Sequence, residues 1–347
     1  MTISGPQKVG ILIPTYNRVN FLRFSLDSAL KQSHGNTAIF VLDNGLQDTT
    51  PEYMAGIADP RVSYVRNTAD LGLIGSINRG IRLIPEEVGW CTILADDDLL
   101  DARYIERSLE AASSSGAKTV VDSHRIFIDA EGTKIWEAAP APPEESAVGY
   151  MRNRAMGTRE TYLTGVFFHR RAFEEIGGYP DFRTGMASDD AFIFALSLKD
   201  RLVHQEEATA FVRIHAGAES QACSRMPDIV KTLDQFRAYT VKAAVESGRF
   251  GHSEVEEFRR LIDRYATIIG SVCWIQSLHG VIDRKEPGWK DDVKFLSDLA
   301  ASDDRYFTSR IRFDAGMVRH LHFCPETLGV YRGLWKALTG RSRRKTA

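Results

Sequence analysis

Trp90-Cys-Thr-Ile-Leu-Ala-Asp-Asp-Asp-Leu-Leu100 couples an apolar run of strand length to three consecutive carboxylates. Trp90 to Leu94 has the length and composition of a buried strand, and the acids follow it without a break. Adjacent acids repel one another and raise each other's pKa. Solvation, a helix cap formed by Asp98 or Asp101, or a bound cation relieves that strain. An acidic triplet alone is better read as a helix-capping loop than as a metal site. Its place directly after a buried strand raises the odds of the second.

Upstream, strand and helix patterns alternate. Val9-Gly-Ile-Leu-Ile-Pro14 is a buried-strand run ended by proline. Phe21 to Gln32 has mostly helical spacing, with Gly35 to close it. Thr37 to Leu42 is a second strand, ended by Asp43-Asn44-Gly45. Thr50, Pro51 and Glu52 form a helix start with Thr50 as N-cap. Val62 to Arg66 is a third strand, and Gly75 to Ile84 a further helix. Such alternation predicts an α/β fold, Rossmann-like, with a mostly parallel sheet and helices on both faces. Ligands in these folds bind at the carboxyl ends of strands. Asn17, Asp43 and Asp96 to Asp98 all fall there.

Downstream, helices are predicted at Ala102–Ser114, Arg171–Ile176 and Ser188–Leu198. Strands are predicted at Lys118–Ile128, Thr164–His169 and Ala208–Ile214, with a loop or lid at Pro140-Ala-Pro-Pro143. After about Met226 the texture becomes helical, over 228–247, 254–279 and 290–301. We therefore divide the chain into an α/β domain at about 5–225 and a helical region at 226–347. The helical part is expected to cover the ligand site, form a homodimer contact, or place the tail at a membrane.

A chain of 347 residues accommodates two domains. Hydrophobic residues at 43% and charged residues at 26% are ordinary for a soluble globular protein. A net charge of -2 with no basic face excludes nucleic-acid binding. Cys91, Cys223, Cys273 and Cys324 are far apart and form no CxxC pair, which argues against a zinc cluster or disulfide framework and fits a reducing cytosol. The N-terminus lacks the pattern of a signal peptide, and no apolar run reaches the ~18 residues of a membrane span. From Arg332 the tail carries Arg332, Lys336, Arg341, Arg343, Arg344 and Lys345 without an acid. It is a solvated end, or it adheres to an anionic membrane with help from Tyr331, Leu334, Trp335 and Leu338. The expected location is the cytoplasm, with peripheral contact at the inner face of the plasma membrane. Gly72-x-x-Gly75 is not GxGxxG, and no P-loop GK[ST] is present.

Six segments in order resemble the inverting family 2 glycosyltransferases of the GT-A fold. They are Ile11-Leu-Ile-Pro-Thr-Tyr-Asn-Arg18, Val41-Leu-Asp-Asn-Gly-Leu-Gln-Asp-Thr-Thr50, Arg66-Asn67 with Asp70-Leu-Gly72 and Ser76-Ile-Asn-Arg-Gly80, and Leu94 to Leu100 as the DXD region. They continue with Gly165 through Gly177-Gly-Tyr-Pro-Asp181 to Ser188-Asp-Asp-Ala-Phe192, and close with Phe211-Val-Arg-Ile-His215 and Ser220-Gln221. The resemblance covers roughly two-thirds of the chain. It implies transfer of a sugar from a nucleotide-sugar donor to a saccharide or lipid-linked acceptor, in assembly of a cell-surface polysaccharide or glycolipid, with Mn2+ or Mg2+ as cofactor.

The same resemblance implies site roles. Pro14, Thr15, Tyr16 and Arg18 line the nucleotide site, Tyr16 against a base and Arg18 at a phosphate. Asp43 accepts from the base N–H, which leans toward UDP over dTDP or GDP; as a plain turn residue it is equally sound. Asn67 and Asn78 contact the donor. Asp96 touches ribose or sugar, and Asp97 holds the metal. Asp98 is a second ligand or the next helix cap, and His215 a further ligand, a phosphate contact or a structural histidine. Asp189 is the general base, with Asp190 as the alternative and helix capping at Ser188 as the structural reading. Ser188, Ile77 and Ala95 stand where many relatives have an acid, a base and the first DXD acid. A noncatalytic nucleotide-sugar-binding protein on the same fold is the competing reading, and turnover separates the two.

Overall fold

The computed structural model describes residues 7–45, 47–215, 226–284, 287–303, 305–309, 311–312 and 315. The boundary expected near 225, Ser220-Gln221, Cys223, Cys324 and the basic tail lie outside the described residues.

The elements in chain order are β1 (Val9–Thr15), α1 (Val19–Leu30), β2 (Thr37–Asp43), α2 (Thr50–Ala55), β3 (Val62–Arg66), α3 (Gly72–Leu83), β4 (Trp90–Ile93), β5 (Leu99–Leu100), α4 (Tyr104–Ser115), β6 (Val120–Ile128) and β7 (Lys134–Glu137). They continue with β8 (Glu144–Glu145), α5 (Ala147–Ala155), β9 (Val166–His169), α6 (Arg170–Glu175), α7 (Ser188–Lys199), β10 (Leu202–Arg213), α8 (Met226–Glu246), α9 (His252–Arg284) and α10 (Trp289–Ser302). The sheet runs β3-β2-β1-β4-β9-β6-β10-β5, with β7 beside β6 and β8 beside β10. β1 to β4 pair in parallel, β10 is parallel to β6, and β9 is antiparallel to both neighbours.

Side chains alternate along a strand, so a sheet covered on both sides needs apolar residues in both directions. Val9, Ile11 and Ile13 of β1 pack with Leu22 and Leu26 of α1 and Tyr104 and Ile105 of α4. Leu12 faces the other way, toward Ile74, Ile77 and Ile81 of α3. Gly80 permits that approach: a Cβ there would lie 2.4 Å from Leu12 Cδ1.

Strand lengths place the site. β1 and β2 end level, Thr15 opposite Asp43. β4 pairs with β1 only from Val9 to Leu12, so its continuation leaves the sheet and turns past the end of β1. Residues 94–98 are thereby brought against the Thr15 loop.

Three local expectations are corrected. Asp48, not Thr50, supplies the oxygen at the start of α2, accepting from Thr50 N at 3.1 Å and from Val19 N at 3.1 Å. The loop after Pro143 becomes β8 and α5, capped by Ser146 accepting from Gly149 N. β10 starts at Leu202, and a register break between Gln205 and Thr209 separates its early part from the predicted strand.

The helices after residue 226 do not stand apart. Phe236, Ala244, Phe258, Ile262 and Tyr265 share one core with α3, α5, α6 and α7, and Phe194 stacks on Phe258 at 4.9 Å. A second core joins Ile229, Leu233, Trp274, Leu296 and Tyr306. Asp190 is the polar joint between the two regions. It is 4% exposed and accepts from Tyr150 Oη at 2.9 Å, Arg154 Nε at 2.5 Å and Tyr265 Oη. Removing one partner of such a buried pair strands the other charge. Asp190→Ala should therefore cost about 3–5 kcal/mol in urea unfolding; a loss under about 1 kcal/mol would contradict this role.

Candidate active site

The acidic turn is held from four directions. Thr15 Oγ1 donates to Asp96 Oδ2 at 2.8 Å, and Tyr16 N to the same oxygen at 3.4 Å. Arg18 Nη1 lies 3.2 Å from Asp97 Oδ2 and 3.5 Å from Asp96 Oδ1. His215 Nε2 lies 2.9 Å from Asp97 Oδ2. Asp98 Oδ1 accepts from Arg213 N at 2.7 Å. The backbone is fixed as well: Ser25 Oγ of α1 is 2.8 Å from Asp96 O and 2.7 Å from Asp98 O, Ala95 N donates to Thr164 Oγ1 at 3.1 Å, and Arg213 Nε donates to Asp97 O at 2.7 Å. The Arg213 guanidinium lies over Phe21, whose ring also meets His215 at 4.8 Å.

Burial, then the neighbouring Asp97 charge, pushes the Asp96 carboxyl up to about 6. The same two causes raise Asp98. Arg18, Asp97 and His215 therefore meet at one edge of a turn that already carries unfavourable negative charge. Asp97 and His215 offer an oxygen and a nitrogen close enough to share a cation. The Asp98 carboxylate is turned to other partners, Arg213 N and the Thr164 hydroxyl. Nor does Asp98 cap α4, whose N-cap residue Arg103 makes no side-chain cap; Asp101 closes the turn before it, accepting from Arg103 N at 2.9 Å. Among the described residues, no three His, Cys, Asp or Glu side chains form a complete metal site.

Tyr16 is 51% exposed beside this turn, whereas Pro14 is buried in β1. Asp43 is fully buried. Its Oδ1 accepts from Gly45 N at 2.7 Å and its Oδ2 from Tyr64 Oη at 2.6 Å, with Arg66 Nε 3.7 Å away. The turn role of Asp43 is thus realised, and a base N–H would have to share an oxygen with Tyr64. Asn67 is buried too, donating to Asn44 Oδ1 at 2.8 Å and accepting from Arg79. Asn78 spends its amide on Tyr179: Nδ2 donates to Tyr179 O at 3.0 Å, and Tyr179 N donates to Asn78 Oδ1 at 2.8 Å. Pro14, Asn67 and Asn78, expected at the donor, are held in these structural contacts.

Asp189 and Asp190 begin α7 but face different surroundings. Asp190 belongs to the α5–α7–α9 joint, with both carboxylate oxygens hydrogen-bonded to Tyr150, Arg154 and Tyr265. Asp189 is half-buried and accepts from Tyr179 Oη. Burial raises its carboxyl to about 6, and the Asp190 charge adds to that. Arg125 bears on Asp189 electrostatically, and its Nε donates to Thr164 O at 3.1 Å. Thr164 in turn holds Ala95, so the acidic turn and the start of α7 share one support.

Ser25, Tyr64, Thr164 and Tyr179 are site-forming residues that the sequence reading did not single out. Thr164 begins the strand expected at Thr164–His169 and Tyr179 lies within Gly177–Asp181, but nothing local marks their partners. Ser25 has no sequence signal, since its role depends on α1 crossing beneath residue 96.

An aspartate raised to about 6 when folded, against about 3.9 when unfolded, opposes folding once ionised. Its penalty is absent below about pH 4, grows from 4 to 6, and is full above. Asp189→Asn keeps an acceptor for Tyr179 and should gain about 1–2 kcal/mol at pH 7.5 and nothing at pH 4. Urea unfolding at both pH values checks this; an equal gain at both, or a loss at pH 7.5, contradicts it.

Residues 10–177 match the model of glycosyl transferase family 2. The succinoglycan biosynthesis protein ExoO of Rhizobium meliloti is 30% identical over 172 residues, which are 47% of this chain and 48% of the relative. An uncharacterized glycosyltransferase of Nostoc sp. is 21% identical over 212 residues, 60% of this chain and 65% of the relative. The chain thus spans about half to two-thirds of the length of these curated relatives. Among solved structures, S. aureus TarS 1-349 in complex with UDP-GlcNAc superposes with a TM-score of 0.61 at 12% identity, over 97% of this chain and 93% of that one. The mannosyltransferase PcManGT from Pyrobaculum calidifontis, in complex with GDP-Man and Mn2+, gives 0.51 at 15% identity, over 99% and 89%. Likeness at that identity carries the fold alone, and the fold is GT-A. Residues 10–177 are thus a glycosyl transferase family 2 domain on a GT-A fold.

Proposed function

We propose that this protein is an inverting, metal-dependent glycosyltransferase that moves a sugar from a nucleoside-diphosphate sugar to an acceptor hydroxyl. The observation that carries the reading is the convergence of Thr15, Arg18, Asp96, Asp97 and His215 at the carboxyl edge of a family 2 domain. Tyr16 presents its exposed ring to the base. Arg18 can exchange its contact with Asp97 for a phosphate oxygen, for which its fork is suited. Asp97 and His215 would hold Mn2+ or Mg2+, with donor oxygens completing the ligand set. When bound, the cation neutralises charge developing on the departing diphosphate.

Asp189 takes the proton of the acceptor hydroxyl as that oxygen bonds to the anomeric carbon. The bond from that carbon to the diphosphate oxygen breaks on the opposite face, which inverts the configuration. A carboxyl near 6 is mostly ionised at neutral pH yet more basic than an ordinary aspartate, which suits the role. The name of ExoO, a succinoglycan biosynthesis protein, supports a role in polysaccharide assembly, and the UDP, UDP-GlcNAc and GDP-Man of the neighbouring structures support a nucleoside-diphosphate-sugar donor, UDP being the one Asp43 leans toward.

In a thermal-shift comparison of UDP, dTDP and GDP with and without Mn2+, UDP with Mn2+ should raise Tm by about 3–5 °C at saturating concentration. Asp97→Ala should abolish the metal-dependent part. Asp189→Asn should keep the shift and lower transfer by about 100- to 10,000-fold. A shift unchanged by Asp97→Ala would remove the metal assignment. Wild-type binding without turnover would indicate a noncatalytic binding protein.

A further inference from the structure

Tyr179 occupies an unusual position for a residue of a loop. It is 3% exposed, its ring lies 4.5 Å from that of Phe192 on α7, and its phenol donates to Asp189 Oδ1. Its backbone is gripped on both sides by the Asn78 amide of α3, at 2.8 and 3.0 Å. Gly178 has φ 98°, and a Cβ there would lie 2.5 Å from Asn78 Oδ1, so only glycine lets the turn seat this closely. An unbroken set of contacts therefore runs from α3, through the 177–179 turn, to one oxygen of Asp189.

We infer that Tyr179, anchored by Asn78, is a positioning residue for sugar transfer, holding the Asp189 carboxylate ionised and turned so that Oδ2 meets the acceptor hydroxyl. This rests on the reading of Asp189 as base. A hydrogen bond to Oδ1 fixes rotation of the carboxylate and leaves Oδ2 to take a proton. A phenol donor also favours the charged form against burial.

Among the described residues, no neighbouring group replaces that donor. The charged and titratable groups facing Asp189 are Asp190 on its own helix, Tyr179 on the turn, Arg154 on α5 and Arg125 on β6. Arg154 donates to Asp190, Arg159 O and Tyr265. Arg125 donates to Asp122, Ser123 O, Tyr162 O and Thr164 O. Both guanidiniums act on Asp189 only through their field.

Tyr179→Phe keeps the ring on Phe192 and deletes the O–H. Two readouts on the full chain test the proposal. The first is the titration midpoint of Asp189 by carboxyl 13C NMR, with the resonance assigned by its loss in Asp189→Asn. The second is the pH profile of kcat/KM for transfer. Loss of one charge-assisted hydrogen bond should raise the midpoint by about one unit. Transfer should then fall about fivefold at pH 6 and recover to near wild type at pH 8. KM for the donor should stay unchanged. An unshifted NMR midpoint overturns the grip of Tyr179 on Asp189. A shifted midpoint with an unshifted rate profile shows that Asp189 is not the base, and overturns the positioning role with it. An activity loss of equal size at pH 6 and pH 8 indicates packing alone and also overturns the proposal.

Discussion

Asp96, Asp97 and Asp98 lie in one turn at the edge of a buried sheet, where like charges repel by up to about 4 kcal/mol per close pair at an effective dielectric of 20. The turn persists because each carboxylate has a different partner: Thr15 for Asp96, Arg18 and His215 for Asp97, and the Arg213 N–H for Asp98. Those partners come from the β1 loop and from the end of β10, while α1 holds the carbonyls through Ser25 and β9's approach holds Ala95 through Thr164. The turn is thus the knot that ties four parts of the domain together. Compensation is incomplete, since Asp96 remains raised to about 6. A site left short of positive charge is one that an incoming cation stabilises, at a cost to the stability of the free protein.

Asp189 and Asp190 show how one helix start divides two tasks. Successive helical residues point about 100° apart. Asp190 turns inward to Tyr150, Arg154 and Tyr265 and locks α5, α7 and α9 together. Asp189 turns toward Tyr179 and stays half-buried. The helices that follow residue 226 therefore do more than decorate the domain: through Tyr265 they fix the helix that carries the proposed base.

Much of the fold was legible in the sequence because it follows from local periodicity. Val9 to Pro14, Thr37 to Leu42 and Trp90 to Leu94 are apolar apart from Thr37 and Thr92, as strands covered on both faces tend to be. The acids after β4 were legible for the same reason. What local pattern could not tell was where each polar side chain spends its bonds. Asn78 and a donor-binding asparagine look alike in sequence; the partner that separates them, Tyr179, is 101 residues away. Asp98 likewise depends on Arg213, on the far side of the chain. The α5 helix was missed because it is short and follows a proline-rich loop, although Ser146 was an available cap signal.

The central claim is that the 96–98 turn recruits a cation to a bound diphosphate. A crystal grown with UDP and Mn2+, with anomalous scattering measured at the manganese edge, tests this most directly. The account predicts one anomalous peak in coordination contact with Asp97, His215 and the diphosphate, with Arg18 turned from Asp97 to a phosphate oxygen. A diphosphate bound away from residues 96–98, or bound there with no manganese beside Asp97, would contradict it.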